Sequence, residues 1–81
     1  MKILYHENFK EALLNLSDIT KKKLKKQIKY LSLDIRHPSL HAKKFDEFQD
    51  IWQTRVDKSF RFYFSIDSDA YILLDVKSHP K

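Results

Sequence analysis

The sequence predicts an α+β domain in which a helical hairpin covers one face of a small, mainly antiparallel four-stranded sheet. Apolar residues recur at helical spacing between positions 8 and 35, and they alternate with polar residues in three short runs between positions 51 and 77. Turn-forming residues separate these runs at 57–59 and 67–69. The predicted order is therefore β-α-α-β-β-β, within a single domain of residues 1–81.

The first half begins with a short predicted strand at residues 2–5, followed by the first helix. Asn8 is the predicted N-cap of that helix, and Glu11 three residues later completes a capping box. The apolar residues of this helix share one face and end near residue 16: Phe9, Ala12, Leu13 and Leu16.

The second helix is predicted to start at Ser17 or Asp18, which are both good capping residues. Its apolar stripe consists of Leu24, Ile28, Leu31 and Ile35. Because a residue before proline is pushed out of helical geometry, His37-Pro38 ends the helix. The short turn between the helices predicts an antiparallel hairpin, and residues 37–50 are predicted to form a loop.

The three remaining strands are predicted at residues 51–57, 60–66 and 70–77. In the second of them, one face is apolar (Phe60, Phe62, Phe64, Ile66) and the other carries Arg61, Tyr63 and Ser65. In the third, the expected apolar set is Ala70, Ile72, Leu74 and Val76. Tyr63 and Tyr71 are then predicted on the opposite face, where they could stack on a nucleobase or form a second small core.

Composition restricts the function. The formal net charge is +5, which favours an acidic partner such as nucleic acid. The chain has no cysteine and no glycine, which excludes disulfides, thiolate metal sites and glycine-rich phosphate loops. No signal peptide or membrane-spanning run is recognisable, so a cytoplasmic protein is expected. His37 and His41 have the i, i+4 spacing of a helical zinc site, but Pro38 argues against a helix there, and no metal or cofactor is expected.

Six lysines lie on the second predicted helix: Lys21, Lys22, Lys23, Lys25, Lys26 and Lys29. Such a run is typical of a solvated helix face. The functional interpretation is a basic band that binds RNA phosphates, formed by Lys22, Lys25, Lys26 and Lys29 together with Lys43.

Several short motifs, taken in order, resemble one known family. They are His37-Pro38-Ser39-Leu40, Ala42-Lys43-Lys44-Phe45, Ile51-Trp52 leading to Arg55-Val56, Phe60-Arg61-Phe62 and Asp75-Val76-Lys77-Ser78-His79. In this order and at this spacing they resemble the RelE/ParE superfamily of toxins from bacterial toxin–antitoxin systems, over nearly the whole chain. Members similar to RelE cut messenger RNA in the ribosomal A site without a metal, whereas ParE-like members poison DNA gyrase.

The resemblance implies an endoribonuclease toxin that binds the ribosome, messenger RNA and a cognate antitoxin, with which it forms a hetero-oligomer. By resemblance, Arg61 contacts the scissile phosphate, Arg55 supplies a strand cation and His79 is the general acid. Lys44 is also placed in the catalytic set, although Lys43, Lys44 and His41 all remain candidates for the base or for local positive potential.

The residues assigned to catalysis also have non-functional alternatives. Arg61 could pair with Asp75 or Asp57 across the sheet, and His79 could be a frayed terminal residue. Gln53 stands where some active members have lysine, and the sequence ends at Lys81 without the terminal aromatic residue of many active members. These departures favour a non-enzymatic relative, either a gyrase poison or a protein that only binds its antitoxin.

Overall fold

The computed structural model describes residues 1–78 and confirms the α+β class. Two helices accompany a sheet of five strands rather than four. The elements are β1 (Lys2–Tyr5), α1 (Glu7–Leu14), α2 (Asp18–Leu33), a 3₁₀ turn (Pro38–Leu40), β2 (Lys43–Asp46), β3 (Ile51–Arg55), β4 (Phe60–Asp67) and β5 (Ala70–Ser78). No helix in this part of the chain is long and apolar enough to cross a membrane.

The sheet has the order β1-β5-β4-β3-β2. β1 runs parallel to β5, and the other neighbouring strands are antiparallel. The additional strand is β2, which lies at one edge inside the segment predicted as a loop. Its four residues contain a single apolar side chain, Phe45, so they carry no alternating pattern. Pairing with β3, and not an intrinsic preference, makes this segment a strand.

The helix boundaries follow from their caps. Ser17 caps α2 as predicted, and its hydroxyl accepts the Thr20 N–H at 3.2 Å. The predicted Asn8 cap of α1 is wrong. His6 is the N-cap instead, since its Nδ1 accepts the Asn8 N–H at 3.1 Å and its backbone is extended. Imidazole lies outside the usual capping residues, which is why the sequence pattern favoured asparagine.

The core lies between the helices and one face of the sheet. Ten buried side chains form it: Phe9, Leu24, Leu31, Leu40, Val56, Phe62, Phe64, Tyr71, Leu73 and Val76. Fully burying an apolar side chain contributes about 1.5–3 kcal/mol. Both helices supply members of this single cluster, so the helix pair is fixed on the sheet by apolar burial.

A β-bulge changes which residues of β5 face the core. Tyr63 pairs with Asp75 and Phe64 pairs with Leu73, so Leu74 is an extra residue without a partner. Tyr71 and Leu73 are therefore buried, whereas Ile72 and Leu74 were predicted there. Tyr71 lies edge-on to Phe64 at 5.4 Å and is a core residue, so its predicted place on the opposite face is wrong.

Candidate functional site

The face of the sheet that points away from the helices, here called the open face, collects cationic side chains. Strand pairing places Arg55 opposite Arg61, and Arg61 opposite Lys77. Lys43 lies opposite Gln53 at the β2 edge. Directly paired residues in a sheet point to the same side. The register therefore brings cations from four strands onto one surface.

Within the described part of the chain, the two arginines have no carboxylate partner. Neither guanidinium lies within 4.0 Å of a carboxylate among residues 1–78. The Nε of Arg55 is buried and has no hydrogen-bond partner in the same part of the chain. Like charges placed directly opposite destabilise a sheet. An external anion that binds both guanidinium groups would relieve this repulsion.

Arg61 does not form the ion pair with Asp57 or Asp75 that was the alternative to a functional role. Its Nη1 donates instead to the backbone carbonyls of Asp57 and Phe60. The Asp57 carboxylate is occupied by the N–H groups of Ser59 and Phe60. Burial alone would raise the pKa of Asp57, but these N–H groups and Lys23 lower it overall.

A cavity of about 320 Å³ lies beside the arginine pair. His41, Lys43, Gln53, Arg55 and Arg61 line it, with Ala42 at its edge. The Nε2 of His41 is 3.4 Å from Nη1 of Arg55. A cavity of this size is near the lower end of the roughly 300–1,000 Å³ range of ligand sites. We call it the arginine pocket. It combines two groups that bind phosphate oxygens in a fork with an imidazole that can exchange a proton.

The turn that carries His41 is fixed by a buried glutamine that sequence analysis missed. Gln27 is 6% exposed, and its Nε2 donates at 2.9 Å to the carbonyls of both Ser39 and Arg55. The imidazole of His37 accepts the Ser39 N–H and stacks on Tyr30 at 3.8 Å. His41 itself adopts a left-handed conformation, with φ 48° and ψ 41°. The sign of this role in the sequence is that Gln27, a polar residue, falls at helical spacing between Leu24 and Leu31 of the apolar stripe.

The structure does not bring Lys44 to the arginine pocket. Lys44 pairs with Trp52 in the register of β2 and β3, and its Nζ lies 4.9 Å from the Trp52 ring centre. Its ammonium binds the Asp50 carboxylate, and this hydrogen bond raises the pKa of Lys44. Because successive side chains of a strand alternate, Lys43 lies on the open face while Lys44 points to the helix side.

The lysines predicted to form a basic band on α2 fall into two groups in the structure, those that line a cavity and those that do not. Lys26 lines a second cavity of about 380 Å³ together with His41 and Arg55, which also line the arginine pocket. Lys23 borders this second cavity too, and its Nζ lies 3.5 Å from Asp57. The remaining lysines predicted to bind RNA are exposed but do not line either cavity: Lys22, Lys25 and Lys29.

Tyr63 lies on the open face, as predicted. Its hydroxyl donates to Oε1 of Gln53 at 3.3 Å, and burial raises its pKa. His79 lies outside the described residues, so its assigned role stays a prediction. Within residues 1–78, no group of three or more His, Asp or Glu side chains is arranged to hold a metal ion.

No family model matches the sequence, and no curated protein matches it. Several solved structures match the fold. A YoeB/ParE toxin from Agrobacterium tumefaciens is 10% identical with a TM-score of 0.82, and the match covers 99% of this chain and 100% of that one. A chain of the archaeal RelE–RelB complex from Pyrococcus horikoshii is 15% identical with a TM-score of 0.79, and the match covers 95% of this chain and 92% of that one.

The intact RelBE toxin–antitoxin complex of E. coli gives a third match of the same kind. Its identity is 12% and its TM-score 0.74, and the match covers 99% of this chain and 98% of that one. The identities are low, while each match spans nearly the full length of both chains. The arrangement of strands and helices, and not the individual side chains, is what these proteins have in common with this one.

Proposed function

The chain has the fold of the RelE/ParE superfamily toxins, and from that premise we propose that it is a toxin that cleaves messenger RNA on the ribosome. The observation that carries the proposal is the pair of opposed arginines, Arg55 and Arg61, without a carboxylate partner among residues 1–78. They line a pocket that also holds a histidine and a lysine. A phosphodiester supplies the anion that residues 1–78 do not provide in this pocket.

The proposed reaction is attack of a ribose 2′-oxygen on the adjacent phosphorus. A base removes the 2′-OH proton as the new O–P bond forms, and the bond from phosphorus to the 5′-oxygen breaks. The products are a 2′,3′-cyclic phosphate and a 5′-hydroxyl. Arg55 and Arg61 bind the non-bridging oxygens, whose negative charge grows in the transition state.

Two groups of the arginine pocket are candidates for the base, His41 and Lys43. We assign the base to His41, because imidazole is the side chain suited to accept a proton near neutral pH and because Nε2 lies beside Arg55. Lys43 then contributes positive potential. By the family resemblance, His79 returns a proton to the 5′-oxygen. Lys26 extends the cationic surface beyond the pocket and contacts flanking phosphates.

Primer extension on a message translated in a reconstituted cell-free system tests this function. The wild-type protein should produce discrete cleavage sites, and Arg61→Ala should lower the cleavage rate by about 10²–10³-fold, the usual effect of losing one donor to a developing oxyanion. Arg36→Ala is the matched control, since Arg36 is exposed and lies outside the arginine pocket. Equal cleavage by the wild type and Arg61→Ala would remove Arg61 from the mechanism.

A cognate antitoxin is the proposed protein partner. The solved structures with the same fold include complexes with the antitoxins RelB and YefM. The net charge of +5 favours an acidic partner. Co-expression with the product of the adjacent gene, followed by purification of a stable complex, tests this expectation. Failure of that product to bind the chain would contradict it.

One observation favours a second candidate, a non-enzymatic toxin that poisons DNA gyrase or only binds its antitoxin. Gln53 lies in the arginine pocket, is 8% exposed and is neutral. By the family resemblance, some active ribonuclease members have a lysine at this position. Inhibition of gyrase supercoiling, without any cleavage of a translated message, would support this candidate over the ribonuclease.

A further inference from the structure

A third cavity, of about 260 Å³, lies on the open face and adjoins the arginine pocket. Its walls are Phe45, Ile51, Tyr63, Leu74, Asp75 and Lys77, and the start of α1 closes one end. Tyr63 belongs to this cavity and bonds to Gln53, which lines the arginine pocket. The two cavities are therefore neighbours on a single surface.

The bulge in β5 forms one wall of this third cavity. Asp75 pairs with Tyr63 across the strands, and the unpartnered Leu74 is the extra residue. Both side chains line the cavity although they are consecutive in the sequence. A regular strand would point one of them toward the core. Bulges occur often next to functional sites, where they change the direction of a side chain.

Phe45 supplies an exposed aromatic surface. It is 60% exposed on the edge strand β2, and its ring meets that of Tyr63 edge-on at 5.0 Å. Tyr63 also lies 5.8 Å from the ammonium of Lys77. An exposed phenylalanine beside a cationic groove is the arrangement that binds single-stranded nucleic acid, because any base can stack on the ring.

Asp75 adds a chemical preference. Its Oδ1 accepts the Val76 N–H at 2.8 Å, and Oδ2 is not engaged by residues 1–78. A carboxylate repels phosphate, so it would not line a second phosphate site. It accepts hydrogen bonds from amino groups, as acidic side chains do from the exocyclic amine of cytosine. Uracil presents a carbonyl oxygen at that position.

We propose that this cavity is a nucleobase subsite that binds an amino-bearing base of the RNA whose phosphate lies between Arg55 and Arg61. The base stacks on Phe45, and its exocyclic amine donates to Asp75. This inference rests on the proposed ribonuclease function and adds a base preference to it: cytosine, adenine or guanine over uracil.

Fluorescence anisotropy with labelled RNA oligomers of equal length tests the subsite. The probes are oligo(C), oligo(A) and oligo(U), and the wild type should bind the first two at least about fivefold more tightly than oligo(U). Phe45→Ala should weaken binding by about 5- to 150-fold, as the loss of a stacked base does. Phe48→Ala is the matched control, because Phe48 is fully exposed and lies outside the cavity.

Asp75→Asn separates recognition of the amine from stacking. Asparagine can donate to uracil, so this variant should bind oligo(U) more tightly and lose the preference, while Asp69→Asn in the exposed β4–β5 turn should keep it. An unchanged preference in Asp75→Asn, or full affinity in Phe45→Ala, overturns the subsite. If Arg61→Ala still weakens RNA binding in that case, the ribonuclease proposal survives and the cavity is open to an apolar side chain of a protein partner. If the wild type binds none of the three RNAs, the subsite is overturned, whereas the ribonuclease proposal fails only if a message translated with the protein is also left uncleaved.

Discussion

Replacing Gln27 by leucine tests whether one buried side chain fixes the geometry of the arginine pocket. Gln27 joins α2 to the turn before β2 and to the end of β3 through three hydrogen bonds. Leucine fills a similar volume but removes all of them. The carbonyls of Ser39 and Arg55 then lose a donor.

The magnitude follows from the burial of those groups. A buried polar group without a partner costs about 1–3 kcal/mol. Ser39 and Arg55 are only half-buried, so water partly replaces the lost donor and the lower end applies to each carbonyl. We expect Gln27→Leu to lower the free energy of unfolding by about 2 kcal/mol. With a urea m-value of about 1–2 kcal/mol/M for a chain of this size, the midpoint falls by about 1–2 M.

Urea unfolding followed by tryptophan fluorescence measures this effect. Gln49→Leu is the control, since Gln49 is exposed in the β2–β3 turn and is held there by its backbone N–H. Its free energy of unfolding should stay within about 0.5 kcal/mol of the wild-type value. Without urea, and at a temperature where the variant is fully folded, Gln27→Leu should also bind RNA more weakly than the wild type does. A midpoint equal to that of Gln49→Leu would refute the argument.

Three further predictions concern charge and proton transfer. RNA affinity should fall with salt concentration, with a log–log slope of about −0.7 to −0.9 per phosphate contact. If the exposed part of α2 contributes, charge reversal at Lys22, Lys25 and Lys29 should reduce that slope. A flat salt response would exclude a basic band. Because the folded-state pKa of Asp57 is lowered, its contribution to stability is present above the unfolded-state pKa near 3.9 and is lost as pH falls through the folded-state value. Acid unfolding of Asp57→Asn should therefore lack this component, and an acid profile identical to that of the wild type would contradict the assignment. His79→Gln should reduce cleavage by about 10²–10⁴-fold and abolish the decline of cleavage with rising pH, while unchanged toxicity would assign the leaving-group proton elsewhere.

The parts of the fold that the sequence predicted are those with a strong local period. The alternation from Phe60 to Ile66 predicted β4 and the opposite directions of Phe62 and Arg61, which the structure confirms. The stripe with Leu24 and Leu31 predicted α2 in the same way. Strand β2 was missed because its pairing with β3, and no pattern of its own, defines it.

The candidate site was predictable only where side-chain direction followed from alternation. Arg61 was predicted on the polar face of its strand, Arg55 was chosen by the family resemblance, and the register of β3 and β4 pairs the two. Lys43 and Lys44 could not be separated without the register of β2, which sends Lys43 to the arginine pocket. The bulge at Leu74 was equally invisible, since a continuous apolar run gives no sign of an extra residue. Asp75 was considered as part of a family motif and as a partner for Arg61, and its place in a cavity was not predicted.

The nature of the RNA ends tests the central claim most directly. A message carrying one 2′-deoxynucleotide immediately 5′ of a mapped cleavage site should resist cleavage at that position when translated with the protein. The all-ribose message should yield a 2′,3′-cyclic phosphate and a 5′-hydroxyl, as expected when the 2′-oxygen attacks a phosphate held by Arg55 and Arg61. Equal cleavage of the two messages, or fragments that end in a 3′-hydroxyl and a 5′-phosphate, would contradict the proposed mechanism.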